Sequence, residues 1–343
     1  MLYSLARSAL FQLDAERAHE LTLEMLSRFP ALAGAVMGQA RVDAPATVMG
    51  LRFPNRVGLA AGLDKNGECL AAWERFGFGF VEVGTVTPRP QAGNARPRMF
   101  RLPEHQALIN RLGFNNHGMT ALGARLQRSR RYFTGVLGIN IGKNADTPIE
   151  RAADDYLLCL HHLHRHADYI TVNISSPNTK NLRDLQSDAA LDALLSAIAQ
   201  AREELAQAES RKAPVLVKIA PDLPDSALPA LVELAQKHGM DGLIATNTTL
   251  AREAVTGHVH ANEAGGLSGL PVRPRAQTVL SQLRAAAGAE FPLIGVGGIS
   301  SGADALARRE AGADLVQIYT GFIYQGPELV RDCAHSLAQS TAI

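Results

Sequence analysis

Eight short apolar runs, separated by helical stretches, constrain this chain more than any other feature. They are Val57 to Ala60, Phe80 to Gly84, Val136 to Ile141, Tyr169 to Asn173, Val215 to Ile219, Gly242 to Thr246, Leu293 to Val296 and Leu315 to Tyr319. Runs this short and this continuously apolar read as parallel strands covered on both faces. The stretches between them, such as Asp154 to His166, Ala189 to Ala206, Ser226 to His238 and Ala303 to Ala311, read as helices. A weak internal echo supports one repeated unit: His166-Ala-Asp, Gly239-Met-Asp and Ala311-Gly-Ala-Asp each lead from a helix end into a strand. Alternating units of this number predict an α/β fold, a (β/α)₈ TIM barrel. A doubly wound sheet is the alternative. It usually has fewer strands and a Gly-rich first turn, and Ala60-Ala-Gly-Leu-Asp-Lys lacks the G-x-G-x-x-G spacing.

A length of 343 residues fits either two domains or a barrel with an extension. Hydrophobic residues make up 46% of the chain, enough for a large core, and a net charge of +1 argues against an extended nucleic-acid surface. The three cysteines, Cys69, Cys159 and Cys333, are far apart and show neither metal spacing nor a disulfide framework, which predicts a reducing compartment. No apolar run reaches the roughly 18 residues that a membrane span needs. Asp14, Glu16 and Arg17 interrupt any secretory signal.

Residues 1–40 stand apart from the barrel segment, 41–343. Leu2, Leu5, Ala9 and Leu13 share one helical face. Asp14 is placed to N-cap a second helix, whose apolar positions Ala18, Leu21, Met25, Leu26 and Phe29 recur at helical spacing, with Pro30 near its end. Arg7, Arg17 and Arg28 add positive charge. The pair reads either as a helical hairpin closing one end of the barrel or as an amphipathic pair lying on a membrane surface.

Barrel enzymes place their chemistry at the C-terminal ends of the strands. Read in order, those ends give Ala60, Ala61, Gly62 and Lys65; Thr85; Asn140; Asn173; Lys218; Thr246, Asn247 and Thr248; Gly297 and Gly298; and Tyr319, Thr320 and Gly321. The fourth strand empties into Asn173-Ile-Ser-Ser-Pro-Asn-Thr, a segment of amides and hydroxyls with no carboxylate, His or Cys, and Ser176 is its reactive group. Such a site suits a flat, neutral, hydrogen-bonding ligand. Glycines after strands seven and eight let backbone N–H groups approach a phosphate. No carboxylate pair, His triad or metal cluster stands at the strand ends, which disfavours glycosidase and metal-hydrolase chemistry, and no metal is expected. Asp64 is the nearest acid and reads equally well as a structural acceptor. A phosphate-bearing cofactor that carries the hard chemistry fits better. FMN is one choice, with Lys218 beside its pyrimidine edge. Pyridoxal phosphate is the other, with Lys65 or Lys218 as the Schiff base. The His161-His162-Leu-His164-Arg-His166 cluster precedes strand four, away from these ends, and reads as a solvated helix face. Connections of about fifty residues follow strands two and six, far longer than a simple crossover, and long loops in a barrel are usually functional.

Ten segments together are similar to one family. They are Ala60-Ala-Gly-Leu-Asp-Lys-Asn-Gly, Gly84-Thr-Val-Thr-Pro-Arg-Pro, Asn110-Arg-Leu-Gly-Phe-Asn-Asn, Gly138-Ile-Asn-Ile-Gly-Lys-Asn, Asn173-Ile-Ser-Ser-Pro-Asn-Thr, Val217-Lys-Ile-Ala-Pro-Asp, Ala245-Thr-Asn-Thr-Thr, Gly265-Gly-Leu-Ser-Gly, Gly295-Val-Gly-Gly-Ile and Gln317-Ile-Tyr-Thr-Gly-Phe. The chain resembles the quinone-dependent, membrane-associated class of dihydroorotate dehydrogenases over nearly its whole length. The resemblance implies oxidation of (S)-dihydroorotate to orotate through one FMN per chain, in pyrimidine synthesis. Ser176 would be the base at ring carbon 5, with hydride leaving ring carbon 6; the soluble classes carry Cys at that position. Thr179 and Phe114 would shape a water path for the proton. Lys65, Asn178, Asn247, Thr248 and the run Asn110, Arg111, Leu112, Gly113 and Phe114 would bind substrate. Asn173 would serve both substrate and flavin. Ala61, Gly62, Leu63, Asp64, Lys65, Thr85, Asn140, Lys218, Thr246, Gly269, Gly298, Tyr319 and Thr320 would hold FMN. His19, Arg101 and Tyr319 would meet the quinone head group at the helical extension. The resemblance also implies a monomer, peripheral on the cytoplasmic side of the inner membrane. Two readings compete: a barrel isomerase or lyase acting on a phosphorylated metabolite without flavin, and a non-enzymatic flavin- or phosphate-binding module.

Overall fold

The computed structural model describes residues 2–339. Eight parallel strands form a closed barrel. They are Val57–Leu59, Phe80–Val86, Val136–Ile141, Tyr169–Asn173, Val215–Ile219, Gly242–Ala245, Leu293–Val296 and Leu315–Ile318. Each pairs with the next, and the last returns to the first through Val316 opposite Val57. That closure excludes the doubly wound sheet. All eight predicted runs are strands; Ala60, Thr246 and Tyr319 lie just past the ends of theirs. The predicted helices are also present, as Ala152–Leu163, Asp188–Glu209, Leu228–Lys237 and Gly302–Glu310. Trp73 is buried in the layer between barrel and helices.

A two-stranded hairpin, Ala46–Val48 and Leu51–Phe53, closes the N-terminal end of the barrel. Met49 and Gly50 join its strands with φ of 55° and 72°, the signs that a tight two-residue hairpin turn requires. Phe53 meets Phe80 edge to face at 5.3 Å inside the barrel. One sequence reading had given this closing role to the N-terminal helices.

The two long connections meet each other above the opposite end. Met99–Leu102 and Ala107–Asn110 from the first pair antiparallel, and Gly266–Gly269 from the second joins the edge of Ala107–Asn110. This small sheet was not expected from the sequence.

The N-terminal segment has three helices: Leu2–Leu10, Ala15–Arg28 and Pro30–Met37. Asp14 caps the second as expected, its side chain accepting from the backbone N–H groups of Glu16 and Arg17. Pro30 does not end the segment; it opens the third helix, where its fixed φ and missing donor cost nothing. Leu13 lies past the first helix. Leu2, Leu5 and Leu13 face outward, and so do Met25, Phe29, Leu32 and Val36. Among the described residues no helix is long and apolar enough to cross a membrane. Met1 and residues 340–343, which the two-part division of the chain includes, lie outside the described residues.

Candidate active site

A cleft opens at the C-terminal ends of the strands, between the barrel and the small sheet. Strand one supplies Ala61, Gly62 and Lys65, strand two Thr85, strand four Asn173, Ser176 and Asn178, and strand five Lys218. Strand six supplies Thr246, Asn247 and Thr248. The first long loop brings Asn110, Leu112, Gly113 and Phe114, the second brings Gly269, and strands seven and eight complete the wall with Gly298, Tyr319 and Thr320. Residues from across the chain, named by their place at strand ends or by the family resemblance, thus share one cavity.

Five expected residues do not line it, one of them Thr179, whose Oγ1 is buried without a hydrogen-bond partner among the described residues. The Asp64 carboxylate accepts from Glu68 N, Cys69 N and the Trp73 indole at 2.8 to 2.9 Å, so it shapes the turn after strand one. Leu63 points to a neighbouring apolar cavity. Arg111 pairs with Glu263 at 2.7 Å and stacks on Phe100, bracing the two long loops. Asn140 lies beneath the floor, fully buried.

Ser176 is nearly buried, and its Oγ accepts from the Asn178 backbone N–H at 3.3 Å. Asn178 Nδ2 donates to Asn110 Oδ1 at 3.2 Å, tying the Ser176 loop to the small sheet. Lys218 points into the cleft, and no hydrogen bond or ion pair to the described residues satisfies its ammonium. Burial lowers its pKa, while the Glu82 carboxylate opposes that shift. Lys65 is also buried; burial first, then the nearby Arg98 charge, brings its pKa down to about 8. Buried cations lacking full compensation in a concave site mark a place for an anion.

The second cavity, almost wholly apolar, lies between the N-terminal helices and the barrel. Tyr3, Leu10, Phe11, Ala18 and Leu26 line one side, and Leu63, Phe76, Leu108 and Phe322 the other. His19 and Arg101 are among its few polar residues, whereas Tyr319 faces the first cleft. Arg101 donates to Phe11 O at 3.1 Å and sits 4.2 Å above the Phe11 ring. Burial and the Lys65 charge hold the His19 imidazole down at about 3, so it is neutral near pH 7. Gly62 and Leu63, and Gly321 and Phe322, place adjacent residues on opposite cavities, so these two segments form the shared wall.

A family model for dihydroorotate dehydrogenase matches residues 44–340. The chain belongs to the dihydroorotate dehydrogenase family. A relative from Leptothrix cholodnii, named dihydroorotate dehydrogenase (quinone), is 59% identical over 338 residues, covering 98% of each chain. One of the same name from Paraburkholderia phymatum is 56% identical over 343 residues, covering 99% of each. The crystal structure of the Eimeria tenella enzyme in complex with ferulenol matches with a TM-score of 0.89 at 36% identity, covering 96% of this chain and 93% of that one.

Flavin-dependent chemistry goes with this family, and the cleft fits a flavin. Asn178 Oδ1, Thr179 Oγ1 and Gln317 Oε1 are buried without a hydrogen-bond partner among the described residues. Gly298, with φ of 74°, would drive a Cβ to 2.4 Å from Arg273 Cβ, and Gly269, with φ of 91°, to 2.1 Å from Gln106 O. Only glycine gives an open, backbone-lined cradle there.

Sequence reasoning missed Ser175, Ser268, Gln317 and Glu82. Ser268 donates no signal of its own in Gly265-Gly-Leu-Ser-Gly, but its Oγ accepts from Thr320 Oγ1 at 2.9 Å in the cleft wall. Gln317 and Glu82 sit inside apolar strand runs, where a polar residue facing the barrel interior was the available clue.

Proposed function

We propose that this protein oxidises (S)-dihydroorotate to orotate in pyrimidine synthesis, using FMN, and passes the electrons to a membrane quinone. The observation that carries this reading is the convergence of Ser176, Lys65 and the amides of Asn110, Asn173, Asn178 and Asn247 on one cleft that also holds the unpartnered Lys218. Lys65 supplies the cation for the substrate carboxylate. The amides match the donors and acceptors of a pyrimidine ring. Ser176 Oγ takes the proton from ring carbon 5, and Thr179, three residues further along the same loop with an unpartnered hydroxyl, continues the path by which that proton leaves. A bound FMN would supply the hydride acceptor for ring carbon 6 and the onward route for the electrons. Lys218 would face its pyrimidine end, while Gly298, Gly269 and Thr320 would cradle its phosphate with backbone N–H groups.

The apolar cavity beneath the helices would admit the quinone, with His19 and Arg101 at its polar end and Tyr319 on the shared wall. Exposed Leu5, Met25, Phe29 and Leu32 in the same helical segment would lie at the bilayer surface, which would make the protein peripheral on the cytoplasmic face. Release of the cofactor by denaturation and its identification by mass tests the flavin assignment. FMN at one equivalent per chain is expected; another flavin, or none, would overturn it.

A further inference from the structure

Glu82 is fully buried within the barrel, on the strand Phe80–Val86. Carboxylates are almost never placed there unless their oxygens are satisfied. Four donors converge on this one. Asn140 Nδ2 approaches Oε1 at 2.8 Å, while Tyr169 OH, Thr171 Oγ1 and Gln317 Nε2 approach Oε2 at 2.9, 3.1 and 2.8 Å. No Lys or Arg among the described residues forms an ion pair with it.

A carboxylate surrounded in this way only accepts, whereas a side-chain amide has a donor end and an acceptor end that can be exchanged by a flip. Glu82 therefore dictates which end of Asn140 faces it. With Nδ2 against the carboxylate, Asn140 Oδ1 is left to accept from Thr85 Oγ1 at 2.5 Å and from Asn173 Nδ2 at 3.1 Å. Asn173 also gives Nδ2 to Thr85 Oγ1 at 2.9 Å, so its Oδ1 turns the other way. There it accepts from Ser175 Oγ at 3.0 Å and from Asn247 Nδ2 at 3.5 Å. Asn247 Oδ1 in turn accepts from Thr248 N at 2.8 Å. The backbone N–H of Ser175, 3.2 Å from Asn173 Oδ1, and that of Thr248 orient Asn173 and Asn247 on their own account, so Asn140 is the amide whose orientation depends on Glu82.

We propose that Glu82 is a positioning residue: from inside the barrel it sets the donor and acceptor ends of Asn140, and so the hold that Asn140 Oδ1 keeps on Thr85 Oγ1 and Asn173 Nδ2 in the cleft wall. The proposal rests on the reading of Thr85 and Asn173 as ligand contacts. Flipping Asn140 with Glu82 in place would set acceptor against acceptor in a site closed to water. Without an acceptor at position 82, the two orientations of Asn140 come closer in energy, and its hold on Thr85 and Asn173 loosens.

The test compares two substitutions in the flavin-loaded enzyme, by titrating orotate against the flavin spectrum. Glu82→Gln keeps a carbonyl for Asn140, and its amide can meet the rotatable hydroxyls of Tyr169 and Thr171 and the free oxygen of Gln317. Glu82→Met keeps the volume and removes the acceptor. The orotate dissociation constant is expected to rise about tenfold or more in Glu82→Met and to stay within about threefold in Glu82→Gln. A merely structural role would lower the melting temperature of both and leave orotate affinity unmoved. Wild-type affinity in Glu82→Met, or equal loss in both variants, overturns the proposal. Should Glu82→Met fail to fold, or should wild-type enzyme not bind orotate, a neutron structure of the wild-type enzyme decides the matter. Deuterium on the Asn140 atom facing Glu82 supports the proposal; the reverse orientation refutes it. Absence of orotate binding to wild type would count against the functional reading alone.

Discussion

Arg98 Nε donates to both carboxylate oxygens of Glu16, at 3.0 and 3.1 Å, and Nη2 adds a third bond at 2.7 Å. Both side chains are buried. The remaining Arg98 nitrogen holds Ala92 O and Asn94 O at 2.7 Å each, and Asn94 Nδ2 reaches Arg111 O at 2.8 Å. The second N-terminal helix is thereby fastened to the loop that carries Asn110. Glu16→Ala would leave a buried guanidinium unpaired and is expected to cost about 3 to 5 kcal/mol. Thermal unfolding reads the loss, and Glu16→Ala combined with Arg98→Met should recover part of it. A single variant as stable as wild type would show that the clasp contributes nothing.

That clasp governs how the helices can be removed. Deleting residues 2–37 alone would strand Arg98, so the deletion should carry Arg98→Met. The truncated protein is expected to retain flavin and its reduction by dihydroorotate, and to lose turnover with a long-tailed quinone and binding to vesicles. Full-rate reduction of that quinone would make the helices a structural cover only.

Ser176→Ala removes the proposed base with little change of shape. Flavin reduction should slow by at least about 10²-fold, with orotate affinity nearly unchanged. Ser176→Cys should keep more activity than the alanine variant, because a thiolate can accept a proton. Near-normal single-turnover reduction in Ser176→Ala would remove Ser176 from the mechanism.

Lys65 makes orotate binding depend on pH in one direction. Its pKa in the ligand-free protein is lowered to about 8 by burial and by Arg98. Below that value the ammonium is charged and attracts the carboxylate. As pH rises through it, the charge is lost and the dissociation constant should climb, by up to about tenfold per pH unit. Titrations from acidic to alkaline pH should show this break, and Lys65→Gln should bind weakly with a flat profile across it. An affinity that does not fall on the alkaline side would show that Lys65 does not carry the carboxylate.

Much of this was legible in the sequence, because the barrel strands are buried on both faces and therefore apolar throughout. The polar residues just after them then name the cleft. Asp14 was legible as a cap because a carboxylate before a helical pattern has a local task. The small sheet was not. Its strands are four residues long, and Gly266–Gly269 pairs with Asn110 and its neighbours from the other long connection, so no local pattern records the partnership. The outward direction of Leu2, Leu5 and Leu13 was likewise hidden. Helical spacing shows that residues share a face, not what covers it. Glu82 was lost inside Phe80-Val-Glu-Val-Gly, where one polar residue does not break an apolar run, and its role appears only with Asn140 and Gln317 beside it.

The central claim is that this cleft moves hydride from dihydroorotate to a bound flavin. Anaerobic mixing of the purified enzyme with dihydroorotate, while recording the flavin absorption, tests it most directly. The account predicts bleaching of the oxidised-flavin band, with orotate formed in equal amount, and return of the band when a quinone is added. A flavin spectrum that stays unchanged under excess dihydroorotate would contradict it.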